Sequence, residues 1–170
     1  RLDIAAALGI AQLSRLDELL GRRAQVARWY DERLGAHPCL IGQAIPAGSR
    51  KSWFVYVVRL SDDLTRQDRD AILADLRAQG IGCSDYFSPI HLQPFIAEKF
   101  DFRRGDFPVC EALADRTIAL PFFGNLREEQ VEHVCARLTA ALENTGLGKQ
   151  PAAPLSRRGP ARERRFSAGP

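Results

Sequence analysis

Methionine is absent from the 170 residues, position 1 included, and the chain opens on Arg1-Leu2-Asp3 already in a helical pattern by Ile4. Such an opening is expected of the rear part of a longer polypeptide. No apolar run approaches the eighteen or so residues that a membrane-spanning helix needs, and no charged-then-apolar leader is read. The expectation is therefore a cytoplasmic chain with no membrane partner. The four cysteines, Cys39, Cys83, Cys110 and Cys135, include no C-x-x-C pair. Metal ligands want closer spacing and a disulfide framework suits a shorter secreted chain, so reduced, mostly buried thiols and no metal site are expected.

Lysine is as scarce. Lys51, Lys99 and Lys149 are the only three, and none has the buried setting that a Schiff-base lysine wants. No glycine-rich phosphate loop is present, because Gly80-Ile81-Gly82 reads better as a helix end entering a strand. No Ser/His/Asp constellation can be read, and the paired Glu128-Glu129 belongs to a helix start. The residues themselves thus name no catalytic group, no cofactor-binding group and no metal ligand.

What is present is enough apolar material, 45% of residues, for one core and one domain. The formal charge of +3 is unevenly spread. Six of the basic residues (Lys149, Arg157, Arg158, Arg162, Arg164 and Arg165) follow Gly148 with only Glu163 against them, leaving 18 basic and 20 acidic residues before that point. The body is therefore no nucleic-acid module, and only nonspecific contact by the tail is conceivable on charge.

Apolar residues at Ile4, Leu8, Leu13, Leu16, Leu20, Ala24, Ala27, Tyr30 and Leu34 step mostly by three and four, which is helix periodicity. One helix over 1–34 would be roughly 45 Å long, a length suited to linking domains or lining a subunit boundary, with Gly9 or Gly21 as a bend. Two ordinary core helices broken at Gly21 are the alternative. Residues 35–51 read as loop and Ser52–Leu60 as a buried strand. Thr65 with Asp68 starts a helix that Gly80 ends as a left-handed cap, and Ile81–Phe87 follows as a second strand. Short helices are predicted over Pro94–Lys99 and Val109–Asp115, a third strand over Thr117–Leu120, and a last helix from Asn125, capped with Glu128, to Glu143. Residues 147–170 have little to bury and are expected to be a disordered basic tail. The organisation predicted is a linking, dimer-facing helix (1–34), a small C-terminal α/β domain (35–146) with a three-stranded sheet and packed helices, and the tail.

The richest stretch is Gly80–Phe123. Tyr86 and His91 flank Phe87, Pro89 and Ile90 there, and an apolar wall with a few convergent polar groups is how small-molecule sites are built. A histidine titrates near neutrality and suits ligand contact or acid–base work, but it equally suits a residue tethering its own turn by hydrogen bonds. Tyr86 divides the same way between ligand wall and core. His37 and His133 read as structural or solvated.

The run Tyr86–Pro94, YFSPIHLQP, resembles the Y-[FY]-x-P-[IL]-H-L-Q-P signature of the DegT/DnrJ/StrS family of pyridoxal-phosphate-dependent sugar aminotransferases. Three further segments agree in order. Arg1–Ile4 with Ala6–Gly9 resembles N-Y-R-[ML]-[SD]-x-x-A-A-L-G; Asp106–Pro121 resembles F-P-V-[AC]-E-x-x-A-x-R-x-L-x-L-P; Leu126–Val134 resembles L-T-E-E-Q-V-x-x-V. Arg127 departs from the family's Thr or Ser, and Asn125 is expected to take over the capping. The tail matches nothing in the family.

The resemblance implies the C-terminal segment, including the small domain, of a fold type I aminotransferase whose members are about twice this long. The full enzyme would move an amino group, from glutamate as the expected donor, onto a nucleotide-linked keto-sugar for polysaccharide or glycoside biosynthesis. Pyridoxal 5'-phosphate would be the cofactor and a homodimer the working unit. The lysine and the ring-holding residues would precede Arg1, so this chain alone is expected to be inactive. Substrate contact is implied for Arg1, near the substrate phosphates in the partner's site, and for Tyr86 and His91 at the mouth of the pocket. The rival expectation is a non-catalytic interaction or regulatory module made of the small domain alone.

Overall fold

Ser14 divides what periodicity reads as one helix. In the computed structural model, which describes residues 2–145, α1 spans Leu2–Leu13 and α2 spans Leu16–Leu34. Arg1 and the predicted basic tail lie outside the described residues. The Ser14 hydroxyl donates to the Ala11 carbonyl at 3.0 Å, so the Arg15 amide turns to Gln12 instead at 3.2 Å. A serine hydroxyl that competes for a helix carbonyl interrupts the ladder. The break therefore falls at Ser14-Arg15, and Gly9 and Gly21 both sit inside helices.

The two helices have different fates. Every side chain from Asp3 to Glu18 is exposed, including Ile4, Leu8, Ile10 and Leu13 at 62–78%. The second half of α2 instead buries Val26, Ala27, Tyr30 and Leu34. It packs on α6 (Glu128–Asn144) and belongs to the domain's core, so the predicted division at residue 34 is not a packing boundary.

Among the described residues the sheet has four antiparallel strands in the order β1-β2-β4-β3, against the three predicted. They are β1 Leu40–Ile41, β2 Tyr56–Leu60, β3 Ser84–Asp85 and β4 Thr117–Leu120. The extra strand, β1, lies in the stretch read as loop because a two-residue edge strand leaves no period to detect. Predicted strand Ile81–Phe87 shrinks to two residues for local reasons. Ile81 is spent on closing the preceding helix, and the Thr117 hydroxyl bonds the Tyr86 carbonyl at 2.8 Å.

That preceding helix, α3 (Arg66–Ala78), shows both predicted ends. Asp68 accepts from the Thr65 amide at 2.8 Å while Thr65 Oγ1 accepts from the Asp68 amide at 3.3 Å. At the other end Gly80 takes φ +76°, and the Ile81 amide returns to Leu76 at 3.0 Å. A side chain would strain that left-handed residue, so glycine stops the helix there. Thr65→Ala should cost about 1 kcal/mol in urea unfolding at neutral pH. The hydrogen bonds from Thr65 hold the Asp68 carboxyl below its usual range. A depressed folded pKa stabilises above the unfolded value near 4 and loses that stabilisation as pH falls through the folded one. The gap between Thr65→Ala and the parent should therefore narrow in acid.

The cap predicted for α6 forms differently. Asn125 accepts from Arg22 at 2.8 Å and Glu128 from Arg33 at 2.8 Å, so both tie α6 to α2. Gln130 instead receives the Arg127 amide at 3.0 Å. On the sheet side, Tyr30 stacks on Tyr56 with centroids 4.6 Å apart and donates its hydroxyl to the Pro121 carbonyl at 2.8 Å. Burial pushes both phenols above their ordinary pKa, so they serve as neutral donors. No disulfide forms among the described residues; Cys39 and Cys135 are buried and Cys110 is exposed.

Candidate functional site

Where β3 ends, the chain turns through Tyr86–Ile90 and forms one wall of a groove of about 740 Å³. Asp106–Cys110, the loop entering helix α5 (Pro108–Ala114), forms the other. Phe87, Ile90 and Val109 stand 67–75% exposed along it, an open apolar surface of the kind that marks a binding groove or an interface. The Tyr86 ring stacks on Phe87 at 4.2 Å. A second, polar cleft shares Phe87, Ser88 and Pro89 and adds Arg66, Arg69 and Arg104. Its arginines are already engaged: Arg69 donates to the Ala114 carbonyl and to Asp70, and Arg104 pairs with Asp115.

Of the residues read from sequence, Tyr86 lines the groove and His91 does not. His91 sits on a short 3-10 turn, Ile90–Leu92, behind the wall, and only 8% of it is exposed. Its Nε2 meets Glu111 Oε1 at 2.9 Å, and its ring lies 4.7 Å from that of Phe107. The tethering role that the sequence left open is the one this geometry displays. Arg1 lies outside the described residues.

Glu111 is the residue that sequence reading missed. It is 6% exposed and also accepts from the Gly105 amide at 2.9 Å and the Phe107 amide at 3.3 Å. Burial alone would push its carboxyl up, but the Gly105 amide, His91 and the Phe107 amide outweigh it and hold the group below its ordinary range. Ionised Glu111 can only accept, so the shared proton belongs to His91 Nε2. In sequence Glu111 looks like an ordinary first-turn acid. The signal was its place among Val109, Leu113 and Ala114, since a carboxylate in such company is seldom buried unless paired.

A model of the DegT/DnrJ/EryC1/StrS aminotransferase family matches residues 2–139. The chain belongs to that family. It is 30% identical over 133 residues to the spore coat polysaccharide biosynthesis protein SpsC of Bacillus subtilis, covering 78% of this chain and 34% of SpsC. It is 32% identical over 148 residues to the GDP-perosamine synthase of Caulobacter vibrioides, covering 82% of this chain and 37% of that enzyme. A putative sugar aminotransferase of Streptococcus pneumoniae, Spr1654 in its PMP form, superposes with a TM-score of 0.77 at 25% identity over 84% of this chain and 35% of that one. The matched part of the chain thus spans about a third of the length of these family members.

Pyridoxal phosphate, the cofactor that the family implies, finds no cradle among the described residues. The Lys51 ammonium lies 3.5 Å from the Trp53 ring centroid and bonds Gln43. Lys99 lies 5.6 Å from the ring centroids of Phe95 and Phe100 on the short, exposed helix α4 (Pro94–Phe100). Neither lysine faces the groove, and the residues present do not fit the cofactor. No group of three or more potential metal ligands occurs among the described residues, and no described helix is long and apolar enough to cross a membrane.

Proposed function

We propose that this chain is the small-domain portion of a pyridoxal-phosphate-dependent aminotransferase that moves an amino group, from glutamate, onto a nucleotide-linked keto-sugar destined for a polysaccharide or glycoside. The observation carrying this reading is the family match across residues 2–139. The groove beside β3 supports it by offering an apolar wall that Tyr86 lines. Cofactor chemistry is assigned to parts of the enzyme outside this chain, in keeping with Lys51 and Lys99, which cover aromatic rings instead of facing the groove. Tyr86 serves the sugar side by contact, and His91 serves it from behind the wall through Glu111. Arg1 is assigned to the substrate phosphates, and the working unit is taken to be a cytoplasmic homodimer, on resemblance alone.

The test is amino transfer by the full-length protein, supplied with cofactor and glutamate and offered a panel of nucleotide keto-sugars. An amino-sugar product detected by mass spectrometry is the expected result, and its absence across the panel, from an enzyme that still accepts the amino group of glutamate, overturns the reading. Tyr86→Ala should raise KM for the sugar about tenfold, the worth of one hydrogen bond to a charged group. The glutamate half-reaction should stay near normal, as befits a group outside the chemistry.

A further inference from the structure

The two walls of the groove are built from segments twenty residues apart, and among the described residues a single buried side-chain hydrogen bond joins them. His91 belongs to the turn that closes the Tyr86–Ile90 wall, while Glu111 stands on the first turn of α5 below the Asp106–Cys110 wall. No other side-chain hydrogen bond crosses between residues 87–92 and 103–114 among the described residues. We propose that Glu111 is a positioning residue that sets the width of the groove, and with it the grip on the nucleotide-sugar, by clamping the His91 turn to the 105–107 loop. The inference rests on the function proposed above for its ligand, and on geometry alone for the clamp.

The geometry has three parts. First, the carboxylate uses both oxygens. Oε1 takes His91 Nε2 at 2.9 Å, and the Gly105 amide lies 2.9 Å from each oxygen, with Phe107 at 3.3 Å from Oε1. Second, the contact is kept dry. Phe107 lies 4.7 Å from the imidazole and Phe102 6.5 Å, and the two phenyl rings meet edge to face at 5.4 Å. Hydrogen bonds in such a setting are electrostatically stronger than in water, and leaving one partner unpaired there is costly. Third, the loop depends on it. Gly105 has φ +106°, a conformation glycine adopts freely, and its amide is aimed at Glu111. Phe107, whose amide is held, carries a ring on the groove's wall. Residues that act on a ligand only by placing a wall change how tightly substrate is held before they change the chemical step.

Glu111→Gln tests this in the full-length holoenzyme. Glutamine keeps the shape but only one accepting oxygen, and its amide hydrogens oppose Gly105 N–H. The expected result is a tenfold or greater rise in KM for the nucleotide keto-sugar, with the glutamate half-reaction within twofold of normal. Amide hydrogen exchange should quicken in peptides covering 86–92 and 105–107 and not in α6. His91→Ala should reproduce these changes, and His91→Gln, which retains an N–H donor, should recover most of them. The double variant Glu111→Gln with His91→Ala should be no worse than either alone, because both break one clamp.

An unchanged KM with unchanged local exchange overturns the proposal. So do effects of the two substitutions that multiply, or equal slowing of both half-reactions with quickened exchange throughout the domain. If the parent enzyme aminates no sugar, the proposed function falls while the exchange measurements still decide the clamp.

Discussion

Purified alone and given pyridoxal phosphate and glutamate, the 170-residue chain should transfer no amino group and keep no cofactor through desalting. A transaminase of this kind needs a lysine whose amine is held free and aimed at the cofactor. Lys51 fails because its ammonium lies on the Trp53 ring and is engaged by Gln43. Burial does lower its pKa, with Asp31 opposing, but an amine held on a ring and bonded by Gln43 is not free to attack, and the Tyr86 groove lies elsewhere. Lys99 fails for the opposite reason: it stands exposed on its short helix, beside the Phe95 and Phe100 rings. Lys149 is outside the described residues. Visible cofactor absorbance that survives desalting and is fixed by borohydride would overturn this. Mass spectrometry would then show which lysine carries the adduct, and loss of the adduct in Lys51→Arg would identify a site that the geometry does not reveal.

Stability should divide sharply between the two ends of the chain. Leu138→Ala should lower the unfolding free energy by about 2–5 kcal/mol, the range for truncating a buried leucine. Leu138 is fully buried in the cluster where α6 meets α2 and α3. Ile10→Lys, by contrast, should leave stability within about 0.5 kcal/mol of the parent, as for surface positions generally. Ile10 is 69% exposed on α1, and every residue from Asp3 to Leu13 is exposed with it. Urea unfolding followed by far-ultraviolet circular dichroism measures both. Equal effects would mean that α1 is docked in solution on a surface of this chain. The contrast matters because α1 is apolar on all sides. Its Ile4, Leu8, Ile10 and Leu13 are as oily as the core residues, and such a helix is normally buried. Composition alone would therefore rank Ile10 with Leu138.

What the sequence determined by itself was everything that local chemistry specifies. The Thr65–Asp68 start and the Gly80 stop of α3 needed only neighbours three to five residues away, and both stand as read. Strand Thr117–Leu120 kept its predicted limits, and the four segments resembling the family lie within or beside the residues that the family model matches. The location of the groove was legible too, since Tyr86, Phe87 and Ile90 put too many large apolar side chains on one turn to be ordinary loop.

Tertiary structure decided whatever depends on a partner far along the chain. Apolar steps of three and four run through both helices, so periodicity could not say that α2 would be buried and α1 left bare; α6, which packs on α2, decides it. It could not place β1, whose two residues are strand only because β2 lies beside them. Asn125 and Glu128 had the chemistry of a cap, but the arginines of α2, about a hundred residues away, drew them off. His91 is the sharpest case. Its sequence neighbours allowed both a ligand-facing and a tethering imidazole. The choice fell to Glu111, twenty residues on, because a buried carboxylate needs a donor and the imidazole in reach supplies one.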